Sequence, residues 1–291
     1  MDKFEKLNSY SSEEKFSNHK KKNYDPVLLC EMSFIILIII LSFIIPDHLA
    51  ENRWNMNMLP SGDHLFGTDD LGRDIFFRTL KGTKISMTIA IFGGVVELFV
   101  GGGYGAIAGY LGGKTEFLMM RVLDIFSSIP YLVLVTLIPI FLGRNLFGIT
   151  VAITFTGWFS TGRVIRGEVL HLKEENYVKA SKLMGASPFS VIKNHIFPNL
   201  IGILSASVIM NIPKYIFAEA FLQILGLGLG YPNVTWGMLI AGSQENLFFY
   251  PYQIIFPSII LVTVIFIITH MGERIKKLVN GSRLHWRGYY G

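Results

Sequence analysis

Residues 85–111 read ISMTIAIFGGVVELFVGGGYGAIAGYL, with Glu97 as the one charge. A helix made of this stretch has no polar face to offer water. At about 1.5 Å of rise per residue, about 20 residues cross about 30 Å of hydrocarbon, so the run is long enough to span a bilayer. Comparable runs fall at roughly 27–45, 117–142, 146–163, 200–225 and 253–271. A span must pair its own backbone N–H and C=O groups, and none of these runs shows the two-residue alternation of a barrel strand. The expectation is an all-α polytopic membrane protein with about six transmembrane helices.

Composition agrees. The 291 residues are 51% hydrophobic and only 16% charged, too few charges to solvate soluble domains of that length. Lysine and arginine then set the orientation. Lys3, Lys6, Lys15, Lys20, Lys21 and Lys22 precede the first run, and Arg274, Lys276, Lys277, Arg283 and Arg287 follow the last. Arg163, Arg166, Lys173, Lys179, Lys182 and Lys193 crowd the segment between the fourth and fifth runs. The positive-inside rule puts all three in the cytoplasm. The expected layout is a cytoplasmic tail 1–26, an uncleaved anchor 27–45, an extracytoplasmic segment 46–84, a transmembrane domain 85–271 with a cytoplasmic loop 164–199, and a cytoplasmic tail 272–291. The basic pI of about 9.1 follows from this topology and gives no reason to invoke nucleic acid.

Catalytic patterns are missing. The seven histidines are scattered, Cys30 is the lone cysteine, and no H-E-x-x-H occurs, so no metal site is expected. The run AGYLGGKT, Ala108 to Thr115, nearly spells a phosphate-binding loop, but it closes a membrane run instead of joining a strand to a helix. Nucleotide binding by this chain is rejected. No nucleophile and base, and no metal pair, sit at convincing spacing in the spans, which argues against an intramembrane enzyme.

Two features concern the interior of the membrane domain. Gly101, Gly105, Gly109 and Gly113 recur every four residues and offer a smooth face for close helix packing. Glu97, Asp124, Lys214 and Glu219 are charges within spans, where each must face protein or water. Arg121 and Asp124 are spaced to pair at i, i+3. Glu97 either lines an aqueous cavity or pairs with Lys214, and both readings stand.

The segment Glu168 to Asn199, EVLHLKEENYVKASKLMGASPFSVIKNHIFPN, is polar and basic between two membrane runs. Residues 174–184 read as a short amphipathic helix. Glu175, Lys179 and Lys182 make a charged stripe, with Glu175 four residues before Lys179 in the favourable order for an ion pair. Tyr177, Ala180, Ser181 and Met184 make the opposite, shallow apolar stripe. Gly185 suits the left-handed residue that ends a helix. Ser187-Pro188 looks like the cap and first residue of a further helix, and Pro198 like the entry to the fifth span. Such a helix can lie on lipid headgroups or dock into a groove on another protein.

This segment resembles the EAA loop of ABC importer permeases, whose pattern is Glu-Ala-Ala, three residues, Gly, then nine residues before Ile-x-Leu-Pro. Here it reads Lys179-Ala180-Ser181, Gly185 and His195-Ile196-Phe197-Pro198, with Lys179 standing where the family has Glu. His64 to Ser86, HLFGTDDLGRDIFFRTLKGTKIS, resembles the Leu-Gly-Thr-Asp-x-Leu-Gly-Arg-Asp block of permeases in the dipeptide, oligopeptide and nickel group. Arg121 to Pro130, RVLDIFSSIP, and Ala218 to Gly237, AEAFLQILGLGLGYPNVTWG, resemble two further blocks of that group. The likeness covers roughly 60–275 and is nearest the C-type subunit, although the family's Gly-Asp and Asp-Pro-Arg ending appears as Gly272-Glu273 and Asn280-Gly281.

The resemblance implies a transport subunit in a prokaryotic cell membrane, forming half of a pathway with a homologous B-type permease. It implies two ABC ATPase subunits that hold ATP and Mg, onto which residues 175–185 dock, and an extracytoplasmic substrate-binding protein that delivers peptides. This chain itself is expected to bind no cofactor. The same machinery importing nickel or a metal-chelate is an alternative reading; an ion channel is another, though it gives no reason for a docking helix.

Overall fold

A computed structural model of the chain describes residues 25–46, 49 and 54–287. The lysine-rich tail, His48 and Arg53 lie outside the described residues. Among those described there is no strand, only an isolated bridge between Thr68 and Asp74.

Helix α1 (Pro26–Ile44) starts where the Asp25 carboxylate accepts the N–H groups of Val27 and Leu28, with Pro26 at the first helical position. Its sides stay largely uncovered, as suits a span against lipid. Helix α2 (Ile75–Val96) passes through a π-helical turn, Glu97–Gly101, into α3 (Gly102–Leu111), making one apolar helix over Ile75–Leu111. It begins at 75 and not at 85 because Asp74 caps it, accepting from the N–H of Phe76 and Phe77.

The third predicted run is not one straight helix. Residues 117–142 fall in α4 (Gly113–Ser127) and α5 (Tyr131–Leu142), which meet at 81°. Pro130 excludes Ile129 from helical backbone and donates no N–H, so the helix cannot run through. Helix α6 (Leu146–Leu172) continues beyond the predicted end at 163. Then come α7 (Asn176–Leu183), α8 (Pro188–Val191), a π-helical turn at Ile192–Ile196, and α9 (Phe197–Ile224). The last three are continuous, so Pro198 does not mark an entry; the wide turn just before it absorbs the missing proline N–H. Short α10 (Trp236–Gly242) and long α11 (Tyr252–Arg287) complete the chain.

Four helical stretches are long and apolar enough to cross a membrane: Pro26–Ile44, Ile75–Leu111, Pro188–Ile224 and Tyr252–Val279. The bent pair α4–α5 makes a fifth if taken as one span. At 27 residues, or about 40 Å, α6 has the length but carries Arg163, Arg166 and Glu168.

Two apolar clusters hold the bundle. One joins Ile38, Met87, Ile89, Val135, Ile153 and Tyr215 with residues of α10 and α11. The other gathers Ala106, Ile165, Val169, Val178, Val191, Ile196, Leu200 and Leu204, and so ties α7 and α8 to the ends of α3, α6 and α9. The start of α1 and the far part of α11 lie at that same end: Arg274 Nη1 donates to Asp25 Oδ2 at 2.6 Å, and a side chain at Gly202 of α9 would meet Val279 at 2.8 Å.

Candidate functional site

Helix α7 is set by its neighbours in sequence. Glu175 stands at its N-cap in extended backbone, Met184 closes it, and Gly185 leaves it at φ +85°, the left-handed conformation glycine adopts without strain. Val178 is wholly buried and Ser181 nearly so, facing the cluster under the loop. Ser181 is therefore corrected: it is buried within the subunit and does not face outward to a partner. The outward apolar stripe is Tyr177, Ala180, Leu183 and Met184, with Leu183 89% and Met184 81% exposed. Leu183 was missed because three-residue spacing from Ala180 is as compatible with an outward face as the four-residue spacing assigned to Met184. Phe189 at the head of α8 extends the patch at 74% exposure.

The charged stripe also changes. Lys179 Nζ pairs with Glu174 Oε2 at 3.0 Å and not with Glu175, the N-cap residue. This pairing holds the Glu174 carboxyl below its ordinary range. Lys182 Nζ lies 4.8 Å over the Tyr110 ring, fastening α7 to the end of α3. Lys173 Nζ donates to the Gly109 carbonyl at 3.3 Å, and Arg166 pairs with Glu116. The loop is thus bolted to the bundle on its inner side and exposed along Ala180, Leu183 and Met184 on its outer side.

Above it lies the glycine face. A side chain at Gly101 would meet the Trp158 carbonyl at 3.0 Å; one at Gly105 would strike the Gly162 carbonyl and, at 2.9 Å, Ile165 Cβ; one at Gly109 would meet the Arg166 carbonyl at 2.8 Å. These three bring α3 and its preceding turn into backbone contact with α6. Gly113 does not belong with them: it lies beyond the helix break at Gly112, φ +58°, with nothing within 4 Å. The near-miss phosphate loop is therefore a helix end, a sharp turn and a new helix.

The intramembrane charges take partners that linear spacing did not show. Asp124 pairs with Arg163 of α6 at 3.1 Å, while Arg121 sits over the Phe117 ring, so the predicted Arg121–Asp124 pair is replaced. Glu97 is fully buried where α2 gives way to the π turn. It accepts from Thr161 of α6, from Asn211 Nδ2 of α9 at 2.5 Å and from Tyr215 Oη of α9 at 2.7 Å. Three neutral donors from two helices make its hydrogen bonds, and Lys214 lies near enough to attract it electrostatically without forming an ion pair. The Lys214 ammonium itself lies 4.3 Å over the Tyr131 ring. Glu219 is buried at the other end of α9, where Ser86 Oγ donates to it at 3.1 Å and also accepts from the Trp236 N–H at 3.3 Å.

That second end carries the long motif blocks. In His64 to Ser86, Asp69 accepts from the N–H of Leu71 and Arg73 and from Arg73 Nε at 2.7 Å, while His64 Nδ1 lies 2.8 Å from Asp74. Gly72, at φ +74°, lets the Trp54 N–H reach its carbonyl at 2.6 Å. Trp236 Nε1 donates to the Thr79 carbonyl at 3.1 Å. The two blocks, distant in sequence, fold into one polar knot opposite α7. Among the described residues no group of three or more His, Cys, Asp or Glu could hold a metal ion.

The family described as binding-protein-dependent transport system inner membrane component matches residues 101–280. The chain is 41% identical over 229 residues to the oligopeptide transport system permease protein OppC of Bacillus subtilis, covering 77% of this chain and 75% of that protein. It is 35% identical over 247 residues to the dipeptide transport system permease protein DppC of the same organism, covering 82% and 77%. It is 29% identical over 249 residues to the glutathione transport system permease protein GsiD of Pectobacterium atrosepticum, covering 84% and 83%. Among solved structures, an inward facing conformation of the MetNI methionine ABC transporter aligns with a TM-score of 0.55 at 18% identity, over 70% of this chain and 97% of that one. At that identity the likeness is one of fold.

Proposed function

The chain belongs to the binding-protein-dependent transport system inner membrane component family, and from that premise we propose that it forms half of the translocation pathway of an ATP-driven peptide importer. The other half is a homologous B-type permease, two ABC ATPase subunits supply ATP hydrolysis, and an extracytoplasmic binding protein delivers the peptide. The chain is a membrane transport subunit and carries out no covalent chemistry. Peptide cargo is supported by the oligopeptide and dipeptide permeases among its relatives; none of the relatives described above is a nickel permease.

One observation carries the docking assignment: α7 buries Val178 and Ser181 in the subunit while Tyr177, Ala180, Leu183 and Met184 face outward. A helix bolted inward and exposed outward transmits a push. Movement of an ATPase groove around the outer stripe passes through Val178 and the Lys182–Tyr110 contact to the ends of α3, α6 and α9. Those helices are locked to one another by the glycine face and by Glu97, so they respond as a rigid body switching between two access states. Both termini and α7 share the cytoplasmic side in this reading, supported by the crowding of Lys and Arg around them.

The experiment is co-purification. Ala180→Glu places a charge in the middle of the stripe, so the ATPases should no longer copurify while the chain still inserts. Full ATPase recovery with this variant refutes the docking face. Unitary ion currents from the chain alone in a planar bilayer would overturn the transporter reading in favour of a channel.

A further inference from the structure

A groove of about 260 Å³ runs between α1 and α2, floored by Ile39 and Phe43 of α1 and by Met87, Ile91 and Val95 of α2, with Lys84 at one end. On α2, Lys84, Thr88, Ile91 and Val95 follow at helical spacing, so the strip extends over about 16 Å of helix. Lys84 Nζ lies 4.9 Å over the Phe43 ring, which holds the ammonium at the mouth of the groove. Among the described residues that line it there is no carboxylate. Phe43 stands near the end of α1, so the cation sits at the level where the span meets the membrane surface and the apolar strip runs inward from it. A volume of about 260 Å³ drawn out over about 16 Å has a cross-section on the scale of one hydrocarbon chain and well below that of a helix about 10 Å across, and Lys84, the one charge among the described lining residues, suits a phosphate.

We propose that this groove is a binding site for an anionic phospholipid, one acyl chain lying along Ile39, Met87, Ile91 and Val95 and the phosphate bearing on Lys84 Nζ. A lysine near a membrane surface attracts an anionic headgroup, and its stem can lie along apolar surface while the ammonium reaches the phosphate. The site lies away from α7 and from Glu97, so it does not depend on the docking assignment.

The test is native mass spectrometry of the assembled transporter titrated with phosphatidylglycerol or with phosphatidylcholine of the same acyl chains. The wild type should bind phosphatidylglycerol about fivefold more tightly, the scale of one lysine's attraction. Lys84→Gln should remove that preference and leave phosphatidylcholine binding unchanged, while the distant Lys114→Gln keeps it. Ile91→Trp, which fills the strip, should weaken both lipids. Lys84 and Ile91 are exposed on the helix surface, so both variants should assemble, and the mass of the complex reports whether they do. An undiminished preference in Lys84→Gln overturns the phosphate contact, and undiminished binding of both lipids in Ile91→Trp overturns the chain site. If a subunit covers the groove in the assembled complex and no lipid is retained, the proposal fails.

Discussion

Leu183→Ala separates the two faces of α7. The side chain is 89% exposed, so truncating it removes almost no packing from the folded subunit, and its stability should change by less than about 0.5 kcal/mol. If the outer stripe is seated in an ATPase groove, the same leucine is buried there, and burying a leucine contributes about 1.5–3 kcal/mol. At about 1.4 kcal/mol per tenfold, the dissociation constant for the ATPase should rise about 10- to 150-fold. The assay pairs a binding titration of the ATPase against the chain in lipid nanodiscs with a thermal melt of the same preparation. Weakened binding with an unchanged melt is the expected result. Unchanged binding would refute the outward assignment of Leu183, and a lowered melt would show that the leucine is packed within the subunit. Val178→Ala is the mirror image: it should lower the melt because Val178 is wholly buried in the cluster under the loop.

Further expectations concern the bundle. Gly105→Ala should cost about 1–3 kcal/mol in thermal unfolding because its Cβ meets backbone of α6 that cannot swing aside, whereas Gly103→Ala, with nothing within 4 Å, should be silent; equal effects would contradict the packing face. Glu97→Ala orphans Thr161, Asn211 and Tyr215 and should lower stability by about 2 kcal/mol at the modest worth of interhelical bonds in membranes, while Glu97→Gln keeps most partners and should be milder; the two melts, compared, decide it. The Arg274 guanidinium hydrogen-bonded to Asp25 holds that carboxyl below its ordinary 3.8. A depressed folded pKa means the pair's contribution is present above the unfolded value and fades as pH falls through the lower folded one. The melting difference between wild type and Asp25→Asn should therefore be full near neutral pH and shrink only on strong acidification; a difference that grows on acidification contradicts the pairing.

Much of this architecture was legible in one dimension. Runs of hydrocarbon long enough for a bilayer can only be helices, because lipid offers backbone groups no other partner, and that holds wherever the runs pack. The polar break at 168–199, the helix within it and its glycine stop were readable because capping and periodicity are local. Partnership between helices was not. Arg121 and Asp124 are the right distance apart on one helix, yet Arg163 is closer in space. Glu175 stands at the right helical spacing from Lys179, yet the helix starts only at Asn176 and Glu174, in the turn before it, takes the lysine.

By itself the sequence determined that the chain is helical and apolar enough to span a membrane, that a short amphipathic helix stops at Gly185, and that glycines recur at four-residue spacing near 101–113, since each follows from hydrophobicity, periodicity or side-chain size alone. Only the tertiary structure decided that Ser181 turns inward and Leu183 outward, that Gly113 lies off the packing face, and that Glu97 is held by three neutral donors from α6 and α9. The reason is physical: which way a stripe faces, and which donor meets a buried carboxylate, depend on surfaces contributed by helices tens of residues away.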